Sequence, residues 1–302
     1  MAESSSRNVS SGYSPMFGAS KPKTLVVIPI YNEEKYIPRV LAHVLDYADN
    51  VLVVDDGSSD KTPCLLGKFP VEVIRHATNR GYGQSLRDGF SYAACHGFDW
   101  VISMDCDEQH EPQELPRFAE AIAENRSDIL SGSRYLASID EQTAPPPDRR
   151  AINWTISQEI NQRLGLTLTD TFCGFKAHRV SAMRRLNLTE NGYAFPMQLW
   201  VQAVAQGLRI TEIPVKLIYK DPARTFGNGL DNAEVRLAHY RSVLHCELRK
   251  HAGLLPPQAF LDLVPCMSGH HHNGEEIIAG QPRRERGANQ SGTRGRPGHT
   301  AG

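Results

Sequence analysis

Five short apolar runs, at residues 24–30, 51–55, 71–75, 100–105 and 129–132, are bounded by turn-forming residues and separated by stretches of helical periodicity. This alternation constrains the fold more than any other feature of the chain. Runs this short, and apolar on successive residues, read as strands covered on both faces. Strand–helix–strand connections then place neighbouring strands in parallel. Ile37, Val40, Leu41, Val44 and Leu45 recur at i, i+3, i+4, i+7 and i+8, as do Leu115, Phe118, Ala119, Ile122 and Ala123 after a Pro112 suited to a first helical turn. The expected fold is α/β, a mainly parallel sheet flanked by helices on both faces.

After Gly132 the pattern changes. A Pro-rich loop at 144–147 precedes expected helices at 151–164 and 195–206 and a strand in which Ile213, Val215, Leu217 and Tyr219 alternate. A last helix, at about 230–250, carries Leu230, Ala233, Leu237, Arg241, Leu244 and Leu248 at helical spacing, a stripe expected to pack on its own domain rather than on a partner or a membrane. Residues 1–20 are Ser/Gly-rich, and 252–302 are rich in Pro, Gly, Arg and His without apolar periodicity. Both ends are expected to be disordered, leaving one domain over 21–251 with a donor half at 21–135 and an acceptor half at 136–251.

Charge narrows the partners. Lys plus Arg number 33 against 34 Asp plus Glu, so the molecule has no overall field to capture nucleic acid, and anion binding must be local. The six cysteines show no C-x-x-C pair, which favours reduced thiols. No signal-peptide pattern opens the chain, and no run reaches the roughly 18 apolar residues of a membrane span, so a cytoplasmic protein is expected.

Ligands of open parallel sheets bind beyond the carboxyl ends of the strands. Here the first run ends in Pro29-Ile30-Tyr31-Asn32-Glu33, the second in Asp55-Asp56-Gly57-Ser58-Ser59-Asp60 and the fourth in Asp105-Cys106-Asp107-Glu108-Gln109-His110. Carboxylates gathered in one crevice repel each other and any diphosphate unless a divalent cation bridges them, and an oxygen donor set suits Mg2+ or Mn2+. Asp105 and Asp107 project to one side of a strand end, where a metal between them can neutralise a leaving diphosphate. One Asp after a strand is usually a turn former; three acidic strand ends together point to a site. Asn79 to Ser85 follow the third run and open a helix, where backbone amides can receive an anion. No G-x-x-x-x-G-K-[ST] and no G-x-G-x-x-G after a strand is present, which argues against a P-loop enzyme or a dinucleotide oxidoreductase.

The ordered series VVIPIYNEE, VLVVDDGSSDKT, NRGYGQSLRDGF, MDCDEQHEP, SGSRY and TDTFCGFKAHR resembles family 2 glycosyltransferases of the GT-A fold, most closely the dolichol-phosphate mannose synthase branch, over about residues 21–229. The resemblance implies a Rossmann-like domain that takes a sugar from a nucleotide-diphosphate donor, with GDP-mannose as leading donor and a polyprenyl phosphate as acceptor. It implies that Pro29, Tyr31, Glu33, Val54 and Asp56 line the nucleoside pocket, and that Asp105, Cys106 and Asp107 meet the diphosphate. Asp105, Asp107 and Gln109 would hold the metal. Arg134, Arg149 or Arg150, and Lys220 or Arg224 stand where the family keeps basic residues for donor and acceptor phosphates.

Cys106 replaces a common Ala and Glu108 a common apolar residue in the metal motif. Gln198, in FPMQLW, stands where many relatives carry Glu. A hydroxyl acceptor benefits from a carboxylate base, whereas a phosphate monoester, with a second pKa of about 6, is already anionic. Gln198 therefore leans toward a phosphate acceptor. A lipid acceptor would bring a protein without a span to the inner membrane surface, with Arg149, Arg150 and the last helix as its contacts. A basic tail and His270, His271 and His272 read as solvated chain. The rival readings are another donor of the UDP-glucose type, a glycan hydroxyl acceptor, a sugar-phosphate nucleotidyltransferase, or a non-catalytic nucleotide-sugar binder. The first strand ends in PIYNEE rather than a Gly/Arg-rich loop, against the nucleotidyltransferase, and the metal motif is intact, against the binder.

Overall fold

The computed structural model describes residues 21–107, 110–136, 147–216 and 230–263, apart from the side chain of Asp148. Seven strands form one sheet: β1 (Thr24–Ile30), β2 (Val51–Asp55), β3 (Glu72–Arg75), β4 (Trp100–Ser103), β5 (Ile129–Ser133), β6 (Lys176–Arg179) and β7 (Ile210–Pro214), in the order β3-β2-β1-β4-β6-β5-β7. β1 pairs parallel with β2 (Ile28 opposite Val53) and with β4 (Val26 opposite Ile102), and β5 pairs parallel with β7. β6 runs antiparallel to both β4 and β5, a strand the apolar-run pattern missed. Its sequence, KAHR, carries polar residues at every second position, because Lys176 and His178 face a cleft while Ala177 faces the core.

Strand alternation divides the core in two. Val26, Ile28, Val51, Val53 and Ile102 pack with α1 (Ile37–Leu45), α2 (Thr62–Leu66) and α4 (Leu115–Ala123). Leu25, Val27, Leu52, Val54 and Val101 pack on the opposite face. There they meet α3 (Tyr82–Cys95), α5 (Pro147–Leu164), α6 (Val180–Met183), α7 (Phe195–Ala205) and α8 (Ala233–Lys250). The sheet is covered on both faces because successive side chains of each strand are apolar and point opposite ways.

Three expectations need adjustment. The last strand is β7 at 210–214; Leu217 and Tyr219 lie outside the described residues. The last helix begins at Ala233, because the Asn232 side chain caps it by accepting from the amides of Glu234 and Val235 at 2.9 and 3.1 Å. Its buried stripe is Arg236, Tyr240, Leu244, Glu247 and Leu248, packed on α5 and α7, sharing only Leu244 and Leu248 with the stripe expected. The packed chain also extends past 251: Leu255 and Ala259 are buried against α5, and Arg163 donates to the carbonyls of Ala259 and Leu261. Two single helical turns too short to show periodicity, Ala252–Leu254 and Pro257–Phe260, carry this segment. No helix among the described residues is long and apolar enough to cross a membrane.

Candidate active site

From β1 the chain order proceeds outward in both directions, to β2 on one side and β4 on the other, so a crevice opens beyond their carboxyl ends. A cleft of about 1360 Å³ occupies it. Pro29, Tyr31 and Glu33 reach it from the end of β1, Asp56 from the end of β2, Asp105, Cys106 and Asp107 from the end of β4, and Arg134 from the end of β5. Val54 does not: its side chain is wholly buried in the core on the α3 face, one residue short of the strand end. Cys106 borders the cleft, but its side chain belongs to the apolar cluster beneath α1 and α4. Of the paired arginines on α5, Arg149 lines the cleft and Arg150 is exposed outside it. Gln109, Lys220 and Arg224 fall outside the described residues.

The loops after β1 and β2 are stitched together by side-chain caps. Ser58 accepts from the Asn32 amide at 2.9 Å, Thr62 from the Glu33 amide at 2.9 Å, and Asn32 from the Ser59 amide at 2.8 Å. Asp56 is buried and heavily engaged. Its Oδ1 accepts from the Arg80 amide at 2.7 Å and lies 2.6 Å from His76 Nδ1, while its Oδ2 accepts from the Gly81 amide at 2.8 Å. The other ring nitrogen of His76 lies 2.8 Å from Asp88. The carboxylate thus fixes the loop that opens α3. Gly81 adopts φ 100°, and a Cβ there would lie 2.3 Å from the Asn191 carbonyl oxygen, so only glycine fits. That carbonyl accepts from the amides of Gly83 and Gln84 at 2.7 and 3.3 Å. The N-terminal amides of α3 are therefore taken by Asp56 and Asn191, and the anion site expected there is not formed.

Asp105 and Asp107 flank the turn after β4; Asp107 is nearly buried and the Asp105 side chain is 30 % exposed. The Asp105 amide donates to His110 Nδ1 at 3.0 Å, which assigns the ring proton to Nε2. Burial pushes the His110 pKa down to about 4, so the ring is neutral at pH 7. Against the other side of Asp105 lies Gly174, where a Cβ would come within 2.4 Å of Oδ2. The carboxylate thus lies against bare backbone, with His110 Nε2 3.9 Å from its Oδ2. Two hard carboxylate donors at the cleft fit Mg2+ or Mn2+. Among the described residues no group of three acidic, His or Cys side chains completes such a cluster.

Two cationic side chains, Arg134 and Lys176, line the same cleft as the carboxylates. Arg134 donates through Nε and Nη2 to Asp170 at 2.6 and 2.9 Å, a bidentate pair in which Asp170 is wholly buried. Despite burial, which favours the neutral acid, the Arg134 charge and its hydrogen bonds keep the Asp170 pKa low. Asp170 also caps the amides of Phe172 and Cys173, and its own amide is held by Glu212. Lys176, buried at the cleft, donates to the Cys173 carbonyl and lies 5.5 Å from the Trp200 ring centre. Burial lowers its pKa, opposed by the charges around it, Asp170 and Asp105 among them. Tyr82 and Tyr193 stack at 5.9 Å between centroids on another wall. The sequence motifs contained Lys176 without marking it; its signal was a lysine on the strand face opposite Phe175 and Ala177.

Gln198 does not face the cleft. Its carbonyl oxygen accepts from the amides of Thr189 and Glu190 at 2.6 and 2.9 Å, and its NH2 donates to Glu247 at 3.0 Å. It ties the 189–190 loop to α8. A glutamate there would oppose the buried Glu247 carboxylate, so the identity of residue 198 reports on packing and carries no information about a base.

The mostly parallel sheet flanked by helices defines a class of fold, that of the GT-A glycosyltransferases. The structure resembles crystal structures of glucosyl-3-phosphoglycerate synthase from Mycobacterium tuberculosis in complex with UDP. The TM-score is 0.59 at 17% identity, over 78% of this chain and 82% of that one. The same enzyme with Mn2+, UDP and glucosyl-3-phosphoglycerate gives 0.56. Residues 25–186 match the glycosyl transferase family 2 profile, and the chain belongs to that family. It is 32% identical over 209 residues to an undecaprenyl-phosphate mannosyltransferase of Micrococcus luteus, covering 66% of this chain and 85% of the relative. It is 27% identical over 247 residues to a polyprenol monophosphomannose synthase of Mycolicibacterium smegmatis, covering 78% and 92%.

Proposed function

We propose that the protein transfers a hexose, with inversion, from a nucleotide-diphosphate donor to a polyprenyl phosphate, and that GDP-mannose is the donor. The observation that carries this reading is that a carboxylate pair, Asp105 and Asp107, and three cationic side chains, Arg134, Lys176 and Arg149, line one cleft. The names of the relatives support the lipid phosphate and mannose. Pro29, Tyr31 and Glu33 border the nucleoside end, and Asp56 shapes it by fixing residues 80–81.

Asp105 and Asp107, with Gln109, would hold Mg2+ or Mn2+, which supplies charge neutralisation for a departing diphosphate. His110 fixes the Asp105 backbone by accepting from its amide, and Gly174 leaves room for the carboxylate, which favours a site set before the bond breaks. An acceptor phosphate oxygen attacks the anomeric carbon from the face opposite the diphosphate. One C–O bond forms as the other breaks, and the electron pair leaves with the nucleotide diphosphate. The attacking group is already an anion, its second pKa being about 6, so no side chain has to remove a proton. Arg134, fixed by its Nε and Nη2 bonds to Asp170, lines the cleft, and with Arg149 and Lys176 it supplies charge for the acceptor phosphate.

The test is transfer of radiolabel from GDP-mannose, and separately from UDP-glucose, to a short polyprenyl phosphate with Mg2+ or Mn2+, read as organic-extractable label. Label from GDP-mannose is the expected result. Label from UDP-glucose alone overturns the donor, and bound donor with no labelled lipid overturns the acceptor.

A further inference from the structure

Beside the cleft, α5 exposes Arg150 and Trp154, neither of which the transfer reaction uses. Arg149 and Asn153 are one helical turn apart and line the cleft. The neighbouring column is formed by Arg150 and Trp154, both exposed, and Trp154 is 66 % exposed on a helix whose inner face is Ile152, Ile156 and Ile160. Leu136, 47 % exposed, follows Tyr135, a cleft residue whose phenol feels the Arg150 charge. Ala151, Thr155 and Gln158 complete the exposed and half-exposed part of this helix surface. Glu159, further along the helix, is tied to Arg163, Arg241 and His245.

We propose that Trp154 and Leu136, flanked by Arg149 and Arg150, form the surface by which the protein docks on an anionic lipid bilayer with the cleft facing the headgroups. An indole is favoured at the water–lipid boundary, and arginines beside it meet lipid phosphates. The occupant is a bilayer rather than a protein because the patch is small, basic and continuous with the cleft that receives the lipid-phosphate acceptor. The inference rests on that acceptor in the proposed function. It also explains how a chain with no membrane-spanning helix among its described residues reaches a substrate whose tail stays in the bilayer.

Tryptophan emission tests it directly. Of three tryptophans, Trp100 and Trp200 are buried, so Trp154 alone can respond to lipid. The full chain is mixed with vesicles of phosphatidylcholine and phosphatidylglycerol, some carrying bromine on the acyl chains. A blue shift and bromine quenching are expected, lost in Trp154→Ser, together with a roughly tenfold loss of vesicle partitioning in that variant. Transfer to long polyprenyl phosphate in vesicles falls in Trp154→Ser, while transfer to a short soluble prenyl phosphate is unchanged. The docking surface is overturned if wild-type emission ignores the vesicles. It is equally overturned if quenching persists in Trp154→Ser, or if the indole is already shielded without lipid and becomes exposed on dilution, the mark of a second copy. Loss of transfer to the soluble acceptor with quenching intact counts against the transfer reaction and leaves the surface standing.

Discussion

Gly174→Ala adds one methyl group and no charge, yet the structure places it inside the Asp105 carboxylate. The new Cβ would stand 2.4 Å from Oδ2 and 2.8 Å from Cγ and Oδ1. Such an approach does not persist below 3.0 Å, so something must give by at least 0.6 Å, and the Asp105 carboxylate supplies the three nearest atoms. Residue 174 is not in the left-handed region, so alanine itself brings no backbone strain, and the effect isolates the contact. Overpacking of this kind costs about 1–3 kcal/mol of stability. A displacement approaching 1 Å in a group that aligns the reacting atoms costs on the order of 100-fold in rate. The expected result is kcat for hexose transfer lowered about 100-fold, with a folded protein by circular dichroism and a raised half-saturating Mn2+ concentration. The assay is initial-rate transfer at saturating donor, with metal titrated. Wild-type kcat with unchanged metal dependence would count against the assignment of Asp105 to the reaction, because its carboxylate supplies the three atoms nearest the new methyl group.

Asp107→Ala should abolish transfer with far-ultraviolet dichroism unchanged, and full activity of wild-type enzyme in excess chelator would remove the metal from the proposed mechanism. Gln198→Glu sets a carboxylate against the buried Glu247 and is expected to cost roughly 3 kcal/mol at pH 8, and less at pH 5, where the pair can share a proton. Equal Tm for variant and wild type at pH 8 would contradict that geometry. Burial lowers the pKa of His110 to about 4 and of His178 to about 3, against 6.5 unfolded. Because both folded values lie below the unfolded one, their contribution to stability is full above pH 6.5. It declines as the pH falls, by about 2 kcal/mol per histidine at pH 5. Urea midpoints at pH 7.5 and 5.0 without added metal measure this, and an unchanged midpoint would show that these rings are not held neutral.

The sequence by itself determined the sheet and the location of the chemistry. Runs such as VLVVD have apolar residues on both strand faces, and such runs must be covered on both sides, which requires the helices between them. Acidic turns after β1, β2 and β4 fall at the carboxyl ends of parallel strands whatever the remaining details, so their convergence was legible before any coordinates. The tertiary structure decided what each polar side chain is for, because that depends on its partners. β6 was hidden since three of the four residues of KAHR are polar, and only the cleft beside it makes Lys176 and His178 tolerable on a central strand. Asp56 and Asp105 look equivalent in sequence. Three neighbours engage Asp56, two of them the backbone amides of residues 80 and 81, while Asp105 faces the cleft between His110 and Gly174. Arg149 and Arg150 differ by one helical step, about 100° of rotation, which separates a cleft residue from a surface one. Gln198 reads as a missing base until Glu247, forty-nine residues away, is seen to receive its amide. Local pattern fixes elements through periodicity, but a hydrogen-bond partner distant in sequence is chosen only when the elements pack.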